Sequence, residues 1–163
     1  MAATPTVTTQ KYINPETTKI YWVPSIADIL APTRLELDAG TDLVLENAAS
    51  EGWNVTSNQV PVPNMGRKFT GSIPGRITAE DSSLDMYASI DGIDARALMS
   101  RDEEGNIVWL DGGDVAGRLM DVFPVQVSSV TKSNRSVEGE EAQMLKFSYS
   151  ITEEPAENVL IPA

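Results

Sequence analysis

The side chains in this sequence that could do chemistry are carboxylates. Asp81 and Asp85 stand four apart, Asp91 and Asp94 three apart, and Asp111 and Asp114 bracket Gly112-Gly113. Neighbouring carboxylates can share a proton or hold a hard cation, which acid–base or metal-assisted chemistry would use. None of these groups has the calcium-loop pattern of alternating oxygen ligands, a central glycine and a distal glutamate. Solvated charge, helix capping and turn formation account for them more simply. Cysteine and histidine are both absent. That removes disulfides, thiol nucleophiles, the usual zinc ligand sets and most designs for proton transfer. No catalytic residue, metal or cofactor is expected, and an enzyme built from carboxylates alone is the weakest reading.

The chain has 163 residues, 41% of them hydrophobic and 22% charged, which suits one folded domain over 1–163. No apolar run approaches the roughly 20 residues needed to cross a bilayer. The start, Met1-Ala2-Ala3-Thr4-Pro5, has no signal-peptide character, so synthesis and assembly in a cytoplasm are expected, without membrane insertion. The net charge is −12, from 24 acidic and 12 basic residues. Such a chain has few cations with which to hold a phosphate backbone, yet it can stand beside DNA without adhering to it. Screening confines the repulsion to about 8 Å.

The elements that must position these groups read mainly as strands. Lys19-Ile20-Tyr21-Trp22-Val23 is a dense apolar strand stopped by Pro24, after a polar arm over residues 1–17. Short β-like pieces follow around Arg34–Leu37 and Asp42–Leu45. Residues 46–75 are broken by Asn, Pro and Gly and read as a long loop, with some strand at Arg67–Ile73. Alternation over Arg76–Ala88 places Leu84 and Met86 on one face and Ser83, Asp85 and Tyr87 on the other. Asp91–Met99 is the best helix candidate, capped by Asp91, with Ile93, Ala97 and Leu98 on one side. Ile107–Leu110 is a strand. Arg118–Thr131 carries Leu119, Phe123, Val125 and Val127 on one face, with Pro124 suggesting an edge or a bulge. Met144–Thr152 alternates strictly and completes a hairpin with one dry and one wet face. The tail over 153–163 is expected to leave as a second arm. The sum is a mainly β fold: an antiparallel β-sandwich or partly open barrel with one flanking α-helix.

A long hairpin leaves unpaired backbone groups at its edges. Pairing of identical chains edge to edge, head to tail, would satisfy them and can close a ring around a hydrated interior. The wet-face residues Gln126, Ser128, Ser148 and Ser150, with Asp85, are the candidates for that interior. Trp53, Asn54, Asn64 and Arg67, on the long loop, are the candidates for contact between rings. Lys146 on the wet face, with Lys132 and Arg135 near the hairpin turn, would need to be outnumbered or paired by acids such as Glu138, Glu140 and Glu141. A β-sandwich carbohydrate-binding module is the alternative from another class, although Trp22, Trp53 and Trp109 are too dispersed for a sugar platform.

The run from Thr18 to Trp53 combines the apolar strand, its proline stop, Ala31-Pro32-Thr33-Arg34, Ala39-Gly40-Thr41-Asp42 and Glu51-Gly52-Trp53. It resembles the N-terminal part of major tail tube proteins of long-tailed, siphovirus-type bacteriophages. The order that follows is also similar: a Gly- and Pro-rich loop, Ala79–Leu84, then helix, strand and hairpin. The resemblance implies a virion structural protein that stacks as hexameric rings around a tape-measure protein, which leaves so that DNA can pass. It further implies tail terminator and distal tail proteins as partners. A tail terminator or neck protein is the alternative within virion components.

Overall fold

The computed structural model describes residues 3, 6, 10–135 and 139–163, so the expected acid Glu138 lies outside the described residues. In chain order the elements are β1 (Lys19–Val23), α1 (Arg34–Asp38), β2 (Thr41–Asp42), β3 (Asn47–Glu51), β4 (Val55–Val62), β5 (Gly71–Ala79), β6 (Ser82–Tyr87), a single 3-10 turn at Ala95–Ala97, β7 (Glu104–Leu110), β8 (Leu119–Ser133), β9 (Met144–Ile151) and β10 (Ala156–Leu160). One antiparallel sheet runs β2-β1-β7-β8-β9-β6-β3, with β10 added beside β8, and β4 and β5 form a separate two-stranded hairpin.

The large sheet curls around its apolar face. Ile20, Trp22, Ile107, Phe123, Val125, Val127, Leu145, Phe147, Tyr149, Leu84 and Met86 all enter one buried cluster. Burial of such side chains stabilises by about 1.5–3 kcal/mol each before chain entropy is subtracted. The two border strands β2 and β3 are not paired, so the barrel is partly open. Residues 43–46 bridge the seam: Leu43 N–H donates to Ile20 O at 2.8 Å and Tyr87 N–H to Glu46 O at 2.9 Å. The buried Leu43 side chain plugs it.

The outer face is treated in two ways. At the β1–β7–β8 end, Val23, Val108, Leu110, Met120 and Val122 form a second cluster covered by Leu37 of α1 and by Ala156 and Ile161. At the β9–β6–β3 end the same face is polar. α1 is short but well started, because Thr33 and Glu36 form a capping box. Thr33 N–H donates to Glu36 Oε2 at 2.7 Å and Glu36 N–H to Thr33 Oγ1 at 3.3 Å.

Several expectations are corrected. The flanking helix is Arg34–Asp38, read from sequence as β-like, and not Asp91–Met99. The latter holds only one 3-10 turn, capped by Asp94, because Gly92 adopts φ +78° and the Asp side chains bond to nearby backbone instead of letting a helix propagate. Residues 46–75 are not a loop: β3, β4 and the start of β5 occupy most of them. The tail is not a free arm, since β10 pairs with β8. Pro124 sits neither on an edge nor at a bulge. It lies in the central strand β8, where partnership passes from Ile151 of β9, opposite Val125, to Ala156 of β10, opposite Val122. Its carbonyl accepts from Thr152 N–H at 3.1 Å, so its missing N–H falls in the gap between two partner strands. The bulge comes later, between Val127 and Ser129.

Gly105 is required by packing. A Cβ there would lie 2.5 Å from the Trp22 ring. Gly105→Ala is expected to destabilise the fold by about 1–3 kcal/mol, seen as a lower urea midpoint without a change of slope.

Candidate functional site

The polar half of the outer sheet face gathers residues from four strands. Gln126 stands opposite Ser150, Ser83 opposite Ser148, and Asp85 opposite Lys146. Ser128, at the bulge, donates its hydroxyl to Ser148 O at 2.9 Å. Four of the expected interior residues therefore share one face, and Ser128 is tied to it. Sequence alternation finds these positions but misses Glu51 of β3, which reaches Lys146 Nζ at 3.1 Å. The Glu51 hydrogen bond, more than the nearby Asp85 charge, holds the Lys146 ammonium above its usual range. The acid that answers Lys146 is thus Glu51. This surface is polar and partly exposed, and its Lys146 is paired with an acid.

The β4–β5 hairpin is the most exposed element. Val60 faces Ile73 and Val62 faces Gly71, so Val60, Val62 and Ile73 line one face in the open, with Met65 and Phe69 exposed in the turn. A two-stranded hairpin alone is marginal in water. Asn64 and Arg67 lie in its exposed turn, and Asn64 Oδ1 accepts from Gly66 N–H at 3.2 Å. Asn54 stands at the base, bonded to Gly52 O and Glu80. Trp53, expected on a free loop, is instead half-buried against Trp109, Phe123 and Tyr149, with ring centroids 5.3–5.8 Å away. Its N–H donates to Ser82 Oγ at 3.0 Å and its indole to Ser83 O at 3.3 Å. The turn that aims it uses φ +81° at Gly52, where a Cβ would also lie 2.4 Å from Asp81 O.

At the other end of β6 lies a groove of about 420 Å³ floored by Leu43, Met86, Ala88, Ala95 and Leu98 and rimmed by Asp42, Glu46 and Asp94. Ile93, on its wall, and nearby Leu45 and Ile90 are exposed. Asp42 is paired with Lys19 at 2.9 Å and Asp94 with Arg96 at 2.6 Å. Glu46 is exposed. Asp94 builds the groove wall: it accepts from Ser89 N–H and Arg96 N–H, and the Arg96 guanidinium holds its carboxyl down to about 2.

Asp114 and Asp91 hold local structure. Arg34 grips Asp114 with two nitrogens at 2.5 and 2.7 Å while Tyr21 Oη donates to the same group at 2.9 Å. The Asp114 carboxyl is accordingly lowered, and burial with Asp114 beside it pushes the Tyr21 phenol up to about 12. Asp91 accepts from the Ser89 hydroxyl and from Ile93 N–H. No cluster of acids suited to a metal ion exists among the described residues.

A family model described as phage tail tube protein matches residues 6–163. No curated protein matches the chain. Among solved structures, a chain of the PVC sheath–tube complex of an extracellular contractile injection system, in its extended state, is similar at TM-score 0.61 and 8% identity, covering 93% of this chain and 95% of the other. A chain of the anti-feeding prophage tube-terminating cap is similar at TM-score 0.59 and 12% identity over 97% and 96%. One of the six-fold symmetrised anti-feeding prophage baseplate reaches 0.57 at 8% over 94% and 95%. At these identities the likeness is one of fold.

Two outcomes are expected from the side chains described. Trp53→Ala should destabilise the unassembled chain by about 3 kcal/mol, measured by urea titration; a side chain serving only a neighbouring copy would leave that midpoint unchanged. For Asp94, a carboxyl depressed in the folded state stabilises above its unfolded pKa, and that contribution is lost as pH falls toward the folded value. Stability should therefore drop between about pH 4 and pH 2, and Asp94→Asn should flatten this part of the thermal melting profile.

Proposed function

The chain belongs to the phage tail tube protein family and is a structural component of the phage tail, and from that premise we propose that it polymerises as stacked hexameric rings into the tube through which DNA reaches the host. The observation that carries this reading is the pair of open borders on the polar half-sheet. Among the described residues β3 pairs only with β6. On its β7 side β8 is paired as far as Val127, which donates to Glu103 O and accepts from Asp102 N–H, and beyond Val127 it has no backbone partner there among the described residues. These borders flank the same four strands, β8-β9-β6-β3. Joining β3 of one copy to the far half of β8 in the next satisfies both rows of backbone groups and makes a head-to-tail contact that closes when the rotation suits. Six-fold symmetry, the symmetry applied to the anti-feeding prophage baseplate, is the closure we assign.

In such a ring Asp85, Gln126, Ser128, Ser148 and Ser150 line the lumen. Hydroxyls, amides and an acid-paired lysine offer DNA little to grip, since phosphate adhesion needs free cations. Before DNA enters, the same lumen holds a tape-measure protein. Terminator and distal tail proteins close the two ends, and synthesis and assembly take place in the host cytoplasm. Asn54, Asn64 and Arg67 reach the neighbouring ring with the β4–β5 hairpin. Trp53 supports that hairpin from inside its own chain. In this role the protein performs no catalysis.

Electron microscopy of the concentrated protein should show hollow tubes with six-fold end views. The hydrogen bond from Tyr87 N–H to Glu46 O sets the alternation of β6 against β3, so Ser50 directs its N–H to the open border. Ser50→Pro is expected to leave the monomer's melting temperature nearly unchanged and to abolish tubes. Tubes as abundant as those of the unsubstituted protein would sink the edge-pairing reading, and a single closed ring would favour a terminator.

A further inference from the structure

Two surfaces of this chain lie bare at opposite ends of one strand. β6 starts at Ser82, three residues after the base of the hairpin at Ala79, and ends at Tyr87, which lines the groove with Ala88 and Ser89. The strand separates them by about 20 Å. β3 repeats the arrangement, from Asn47 beside Glu46 at the groove to Glu51 near the hairpin.

Their chemistries are complementary. Residues 55–79 contain Arg67, Lys68 and Arg76 and no acid, in a chain with twice as many acids as bases. Met65 and Phe69 stand in the same turn as Arg67 and Lys68, all exposed. The groove has an apolar floor and three acids in its lining, Asp42, Glu46 and Asp94, of which Asp42 and Asp94 pair with Lys19 and Arg96. Glu46 remains on the rim to meet an incoming positive charge, and Asp91, which bonds Ile93 N–H of the groove wall, adds a negative charge beside it.

We propose that the hairpin turn of one copy docks in this groove of the next copy along the tube. Met65 and Phe69 enter the apolar floor, and Arg67 and Lys68 meet Glu46 and Asp91 at the rim. The inference rests on the tube reading and names the two halves of its ring-to-ring contact. Because the plug and the socket are different surfaces at opposite ends, the contact never saturates itself, and every docked copy offers a fresh groove or hairpin. A buried aromatic anchor ringed by charge is also the usual anatomy of a specific interface. A cationic turn could instead touch DNA, but exposed Met65 and Phe69 favour burial in protein.

The chain has no cysteine, so introduced thiols report without background. Thr70→Cys and Ile90→Cys variants, purified apart and mixed during assembly, should be joined as dimers by a short bismaleimide. Thr70→Cys mixed with Ser150→Cys should not be joined. Arg67→Glu with Lys68→Glu should raise the concentration needed for tubes about tenfold while leaving the melting temperature unchanged, and adding Glu46→Lys should restore assembly. Tubes that form normally without the Thr70–Ile90 link overturn the docking and leave the tube reading standing. Linking through Ser150, or loss of DNA retention without loss of assembly in the charge-reversed variant, places the turn in the lumen and also overturns it. Failure of the unsubstituted protein to form any tube removes the tube reading and this inference together.

Discussion

The direction in which each side chain of β8 points governs the rest of the structure. This strand of 15 residues is shared by β7, β9 and β10. Phe123, Val125 and Val127 enter the barrel, while Met120 and Val122 face the layer capped by α1. A strand gives each face every second residue, so apolar side chains at 127 and 130 cannot share a face without an extra residue between them. The bulge between Val127 and Ser129 supplies it and returns Val130 to the inner cluster. The same bulge leaves the polar set on the outside just where β7 stops accompanying β8. Polar face and open border thus arise together.

From this follows a division of labour within one sheet. The end near α1 is a finished layer, closed by Leu37, Ala156 and Ile161 and clamped by Arg34 on Asp114. The far end is unfinished in backbone terms, with unpaired borders on β3 and β8. Folding can tolerate this because the inner core, running the length of the curled sheet, provides the stability that the far end's own borders do not. The hairpin is a further unfinished piece, tied to the body at its base through the Trp53 turn. A chain built this way has a core of its own and, among the described residues, still has backbone groups unpaired and apolar surface exposed.

How much of this was readable depends on whether the signal is local. Period-two alternation gave β9 and Phe123, Val125 and Val127 of β8 directly, because burial on one face leaves that record in the sequence, whereas Leu119, expected on the same face, is exposed and Val130, beyond the bulge, was missed. The Ser128-Ser129 pair between valines is a readable bulge signal that strict alternation passes over. Thr33-x-x-Glu36 is a capping box and marks α1, yet the five-residue helix carries too little periodicity to stand out. The opposite error occurred at 91–99, where Asp91, Gly92 and Asp94 favour turns that compete with a helix. The hairpin at 55–79 stayed hidden because its strands bury little within the monomer, so their pattern answers to something outside the chain. Of the candidate site, the serines and Gln126 were legible as a wet face. Glu51 was not, since its partner Lys146 lies 95 positions away.

The charge of −12 bears on how such a chain can associate with itself. Like-charged copies repel, but screening at physiological salt limits that force to about 8 Å, so it is local charge at a contact that decides. Spreading the twelve cations evenly would leave each border acidic and repulsive. Seven of the twelve fall into two groups. Lys19, Arg34, Arg96 and Lys146 are tied to acids of their own chain. Three others are set on the hairpin, where the chain has no acid at all. The arrangement pairs Lys146 of the polar face with Glu51 and, on the proposed reading, gives the hairpin a sign opposite to the body it would touch. Repulsion over the bulk and attraction at the hairpin are then compatible. They favour copies that meet end to end over copies that meet at random.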